Sequence, residues 1–205
     1  MKFPSAIYSL LLTTLTASLL SGCAAALLGG AAVGTSAVAD RRTAGAQADD
    51  QVIELRVKNN ALAYLNQNTT VAGFNPQLSV VSYNRRILLL GQVATEAEKR
   101  FVEQVARSEQ AAEAVYNYID IAPQARTLSN VSADTWNTTK VRTALLGIQG
   151  LYPGRVKIVT YEGVTYILGI LTPAEQDIVT QQVRTTAGVQ KVVTLYQNYT
   201  PTTNP

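Results

Sequence analysis

The stretch "VTYEGVTYILGILTPAEQ", residues 159–176, carries three structural signals in eighteen positions. Val159, Tyr161, Val164 and Tyr166 are β-branched or aromatic, the side chains that favour a pleated strand. Glu162-Gly163 between them is a two-residue turn of the kind that reverses a hairpin. Thr172-Pro173-Ala174-Glu175 then opens a helix: threonine caps, proline suits the first helical position, and glutamate three residues on completes a capping box. Outward from this core, residues 134–149 read as a preceding helix, Gly188 stops the second one, and "VQKVVTLYQNY" reads as a last strand. The unit is therefore helix, strand, strand, helix, strand.

The same unit occurs twice. Displaced by 78 positions, residues 81–123 lie on 159–201 without a gap. Val81 falls on Val159, Tyr83 on Tyr161, Leu90-Gly91 on Leu168-Gly169, Val115 on Val193 and Tyr118 on Tyr196. Upstream, Asp50 and Val57 match Asp134 and Val141 at a displacement of 84, so the first copy carries about six extra residues around "NQNTTVAGFN". A first helix from Asp50, strands 77–83 and 86–92, a helix capped by Thr95 with Glu98, and a strand at 113–121 complete that copy. The fold class is α+β, with two αββαβ modules, each a three-stranded mixed sheet packed on two helices. A module of about 70 residues can bury a core in this way.

The chain before the repeats is different in kind. Met1 and Lys2 precede "AIYSLLLTTLTASLL", residues 6–20, an uncharged apolar run. Its length suits a signal-peptide core and falls short of the roughly 20 residues of a spanning helix. Leu20-Ser21-Gly22-Cys23 follows and holds the sole cysteine. This resembles the bacterial lipobox, which implies cleavage before Cys23, acyl chains on Cys23, and a mature protein anchored stably by more than one chain. Ala24 after the cysteine, rather than aspartate, implies the outer membrane, periplasmic face. An ordinary secretory signal with a stray cysteine is the alternative. Residues 24–48 are rich in alanine and glycine and read as a tether, with Arg41-Arg42, like Arg85-Arg86, solvated.

Composition narrows the chemistry. There is no histidine, which removes the side chain best suited to proton transfer near neutral pH and the commonest metal ligand. No carboxylate pair stands out as acid and base, so the expectation is no enzyme, no cofactor and no metal. The formal net charge of +3, without a basic cluster, gives no nucleic-acid footprint.

The residues "DTWNTTKVRTALL", followed by a hairpin ending in Leu-Gly, and "AGVQKVVTLYQNY" are similar to the BON domain. Two such copies behind a lipobox, with "DRRTAGAQADD" before the first, resemble the dual BON-domain outer-membrane lipoproteins. The domain plan is then signal peptide 1–22, lipidated tether 23–48, BON domains 49–122 and 131–200 joined by linker 123–130, and tail 201–205.

A helical wheel on residues 134–150 puts Val141, Ala144, Leu145 and Ile148 on the core side. Trp136, Thr139, Thr143 and Leu146 fall nearly opposite, with Lys140 and Arg142 on either flank. An exposed indole beside aliphatic surface and cations suits a bilayer interface; Trp136 folding over the neighbouring domain or linker is the alternative. Residues 50–122 hold 7 basic and 8 acidic side chains, residues 131–200 hold 6 and 4, so the second copy is the more cationic. The resemblance implies that the second BON domain binds anionic phospholipid, such as phosphatidylglycerol or cardiolipin, through its first helix. Trp136, Lys140, Arg142 and Leu146 would carry that role, in support of outer-membrane integrity. An adaptor for protein partners, such as the outer-membrane barrel-assembly machinery, is the rival reading.

Overall fold

A computed structural model describes residues 40–69, 71–122 and 126–201. The first module contains α1 (Ala44–Asn68), β1 (Gln77–Tyr83), β2 (Arg86–Val93), α2 (Glu96–Arg107) and β3 (Ala114–Ile121). The second contains α3 (Leu128–Leu146), a 3-10 turn (Pro153–Arg155), β4 (Val156–Tyr161), β5 (Val164–Leu171), α4 (Pro173–Arg184) and β6 (Lys191–Asn198). Each sheet has its hairpin antiparallel and its third strand parallel to the second, in the orders β1-β2-β3 and β4-β5-β6. Both capping boxes form, at Thr95 with Glu98 and at Thr172 with Glu175.

Alternation along the strands sends side chains to two different cores. From the first sheet, Val80, Ile87, Leu89 and Ile119 pack under α1 and α2 against Ile53, Val57, Ala61 and Val102. From the second, Ile158, Ile167 and Leu171 pack under α3 and α4 against Val141, Leu145, Val179 and Val183. The opposite faces meet each other: Val81, Tyr83, Leu88 and Leu90 of the first sheet close on Tyr161, Tyr166, Leu168 and Leu195 of the second. The two modules thus share a third core, in a helix–sheet–sheet–helix stack. This explains why β2 reads "RILLLGQV": a strand buried on both faces needs an apolar run rather than alternation. Residues 39–205 form one compact unit whose three cores draw only on residues within it.

A matching polar device pins each hairpin. The turns at Asn84-Arg85 and Glu162-Gly163 all have positive φ, as a type I′ turn requires, although three of the four residues are not glycine. In the first module Asp50, 2% exposed, accepts from the backbone N–H of Asn84 at 2.8 Å and of Arg85 at 2.7 Å, and from Ser82 Oγ. Arg42 pairs with the same carboxylate at 2.9 Å and lies 4.2 Å over the Tyr83 ring. In the second, Asp134 accepts from the N–H of Glu162 and Gly163 at 2.7 and 2.9 Å. Arg126 pairs with Asp134 and lies 4.0 Å over the Tyr161 ring. The buried carboxylate supplies acceptors to two N–H groups held in a conformation that ordinary residues resist.

Three sequence expectations are corrected here. Residues 41–48 are not tether: Thr43 caps α1, which starts at Ala44 rather than Asp50. Arg41 and Arg42 are not solvated. Arg41 forks onto Glu175 at 2.6 and 3.0 Å, donates to the Ile170 carbonyl, and lies over Tyr199, all in the second module. Arg42 is held by Asp40 and Asp50 in the first. Composition hid this because both arginines find their partners far along the chain. Likewise α3 starts at Leu128 behind the Thr127 cap, before the expected 134, so residues 128–130 belong to the second module and not to the linker expected over 123–130.

Replacing Asp50 or Asp134 by alanine strands buried donors and an arginine, and should lower unfolding free energy by about 3 kcal/mol or more in denaturant titration. Loss of less than about 1 kcal/mol would contradict the pinning role. The Arg41 contact also predicts an acid response. Burial alone would raise the Glu175 carboxyl, but hydrogen bonds from Arg41 and from the Thr172 N–H and hydroxyl outweigh it and bring it to about 2 from 4.5. A carboxyl depressed in the folded state stabilises fully above 4.5 and loses that stabilisation as pH falls toward about 2. The melting temperature of Glu175→Gln should therefore fall less than that of the parent across that window.

Candidate functional surface on helix α3

The helix that carries the predicted site is apolar on two sides. Val141 and Leu145 are buried beneath it, and Ala144 and Ile148 are partly buried. On the opposite side Trp136 is 63% exposed and Leu146 65% exposed, with Thr139 and Thr143 exposed between them. Among the described residues neither the first module nor the linker covers Trp136, because the modules meet through their sheets and not through their helices.

The observed start at Leu128 lengthens this face. Leu128, 86% exposed, falls in line with Leu146 at about 100° per residue and so lies on the same side as Trp136 and Leu146; Val131 turns instead toward a cleft that it lines with Gln77 and Leu78 of the first module. The 19 residues span about 28 Å. Leu128 was missed in the sequence reading, although Arg126-Thr127 repeats Arg42-Thr43 at the same displacement of 84 that relates Asp134 to Asp50. That dipeptide was the available signal for the helix start.

The hydroxyls on this face are not free. Ser132 donates to the Leu128 carbonyl, Thr135 to Val131, Thr139 to Thr135 and Thr143 to Thr139, at 2.9 to 3.0 Å. Each hydroxyl turns back on its own helix, so its need for a donor's partner is met without water. A face rich in threonine is in this way less costly to desolvate than its composition suggests.

The two cations sit on the flanks and are each steadied once. Lys140 Nζ donates to the Ala187 carbonyl at 2.5 Å, beside Gly188, whose φ of 95 favours glycine and where a side chain would displace the tips of Asn137 and Lys140. Arg142, an exposed residue, donates to the Ile158 carbonyl at 3.0 Å through one of its five N–H groups. Trp136, Lys140, Arg142 and Leu146 are thus on one helix surface, with the two apolar side chains between the two cations. Cys23 lies outside the described residues. Among the described residues no helix is long and apolar enough to cross a membrane.

The domain pattern of the BON family is matched twice, by residues 49–123 and 133–195, and the chain belongs to that family. Among curated relatives it is 29% identical over 178 residues to the outer membrane lipoprotein DolP of Haemophilus influenzae, covering 87% of this chain and 89% of that one. It is 30% identical over 154 residues to the 21 kDa hemolysin of Actinobacillus pleuropneumoniae, covering 75% and 76%. Kinship over nearly the whole length supports an outer-membrane lipoprotein with two BON domains, of the DolP type. A solved structure of CdsD, a structural protein of the type III secretion system of Chlamydia trachomatis, overlays with a TM-score of 0.30 at 9% identity, covering 69% of this chain and 92% of that one.

Neighbouring leucines on α3 should separate surface from core. Leu146→Ser and Leu128→Ser should change unfolding free energy by no more than about 0.5 kcal/mol. Leu145→Ser, one residue away on the buried side, should cost more than about 2 kcal/mol. Equal costs would mean that the outer face is covered in solution.

Proposed function

We propose that the protein is held on the periplasmic face of the outer membrane by acyl chains on Cys23 and that α3 of its second BON domain lies against anionic phospholipid. The observation that carries this reading is the exposed stripe Leu128–Trp136–Leu146, whose intervening hydroxyls are already bonded to the helix. An amphipathic helix of this kind settles at the depth of the headgroups, with apolar side chains below and cations at the phosphate level. Trp136 and Leu146 would enter the interface, and Lys140 and Arg142 would meet phosphates from either flank. The excess of basic side chains in the second module favours headgroups such as phosphatidylglycerol or cardiolipin. No catalytic step is assigned; the biological consequence is support of outer-membrane integrity through lipid recognition. That DolP is itself named an outer membrane lipoprotein supports the same location for this chain.

Because Trp136 is the only indole, the reading has a direct optical test. Residues 24–205, produced without lipid, are titrated with vesicles while tryptophan emission is followed. A blue shift with anionic vesicles, absent with zwitterionic ones, weakened by salt and lost in a Leu146→Glu variant, is the expected result. No shift with either vesicle would reject lipid recognition in favour of an adaptor that docks protein.

A further inference from the structure

On one flank of α3 a groove of about 330 Å³ runs between the helix and β4. Leu145, Leu146, Leu151, Pro153, Val156 and Ile158 line it, and its two charged neighbours, Arg142 and Lys157, are both cations. We propose that this groove takes one acyl chain of an anionic lipid, with Arg142 at its mouth receiving the phosphate. The proposal builds on the membrane-facing reading of α3, since Arg142 and Leu146 belong to both surfaces.

Three observations select this occupant. First, the lining is almost entirely aliphatic, so water gains few hydrogen bonds there and an alkyl chain displaces it at little cost. Second, the volume lies near the lower end for ligand sites, room for one chain and not for two. Third, β4 is an edge strand, which would ordinarily invite a peptide to add as a further strand. Here the outward-facing backbone is already taken at three points. The Thr160 N–H donates to Thr138 Oγ, the Ile158 carbonyl accepts from Arg142, and the Val156 N–H donates to the Pro153 carbonyl. A peptide strand would have to break these bonds; an alkyl chain needs none of them.

The charges are not equivalent. Lys157 is spent on Glu54 and the Ser82 carbonyl, contacts that tie the two modules together. Arg142 has its single bond to Ile158 and, among the described residues, no carboxylate partner. Its remaining donors suit a phosphate in the forked geometry that guanidinium provides.

The test uses n-alkyl phosphates of roughly six to fourteen carbons, below their micelle concentrations, titrated by calorimetry into residues 24–205. Affinity should rise about fourfold per methylene and level off near about ten carbons as the groove fills. Arg142→Gln should weaken decyl phosphate about tenfold and leave decanol unchanged. Val156→Phe, which fills the groove from a strand position that accepts aromatics, should abolish decyl phosphate binding while the vesicle-induced shift of Trp136 persists. In the unaltered protein, methyl resonances of Leu151 and Ile158 should move with decyl phosphate and those of Leu128 should not, a readout that does not depend on any variant folding. No chain-length dependence, or shifts at Leu128 without shifts at Leu151, overturns the groove site. Decyl phosphate binding without any response to vesicles sustains the groove and removes the membrane reading; vesicle binding without decyl phosphate does the reverse.

Discussion

Everything distinctive about the surface follows from the two sheets closing on each other. Tyr83, Leu88 and Leu90 against Tyr161, Tyr166 and Leu168 bury the face that each three-stranded sheet would otherwise present to water. Each of the two modules packs its helices on one face of its sheet only, and the other face is apolar. Pairing the modules hides both bare faces at once, and the four helices become the exterior. Burial pushes the Tyr161 and Tyr166 hydroxyls up to about 12, so both stay neutral at ordinary pH and the shared core does not respond to modest pH change.

The shared core is reinforced from the chain's own leading segment. Arg41 reaches the second module while Arg42, one residue later, is committed to the first. Consecutive guanidinium groups bound to different modules act as a clasp, and Lys157 with Glu54 adds a second crossing. Hinge motion between the modules would have to break partly buried ion pairs as well as separate the sheets, so the outer face of α3 is presented by a rigid body. Duplication supplied the frame and divergence supplied the surface. Val52 occupies in α1 the repeat position that Trp136 occupies in α3, and both are exposed. Only the second copy adds the indole and an excess of positive charge.

Local chemistry made most of the fold legible. Hairpin turns and capping boxes are each written within a few residues, the repeat shows them twice at displacements of 78 and 84, and α+β modules follow from them. The wheel on residues 134–150 separated Leu145 from Leu146 correctly because burial in α3 obeys helical period. What escaped was long-range. The alanine-rich run before Asp50 looked like tether because only Ala46 of that run is buried, while the periodic core contacts of α1, Ile53, Val57, Ala61 and Leu65, begin after Asp50. Arg41 looked solvated because Glu175 lies in the other half of the chain. The sheet-to-sheet contact was encoded in the unbroken apolar run of β2, which reads as a buried strand without naming what buries it. The turn and a half from Leu128 was lost because its residues make no core contact that periodicity could register.

The central claim is that the outer face of α3, and no other helix, meets the membrane. Spin labels placed singly at Leu128, Thr139 and Leu146, and for comparison at Leu55 on α1 and Ile178 on α4, can be read for bilayer depth through their relative accessibility to oxygen and to a water-soluble nickel complex on anionic vesicles. The account predicts oxygen-rich, nickel-poor environments at the three α3 positions and aqueous ones at Leu55 and Ile178. Aqueous values at all five positions, or immersion of Leu55 in place of Leu146, would contradict it.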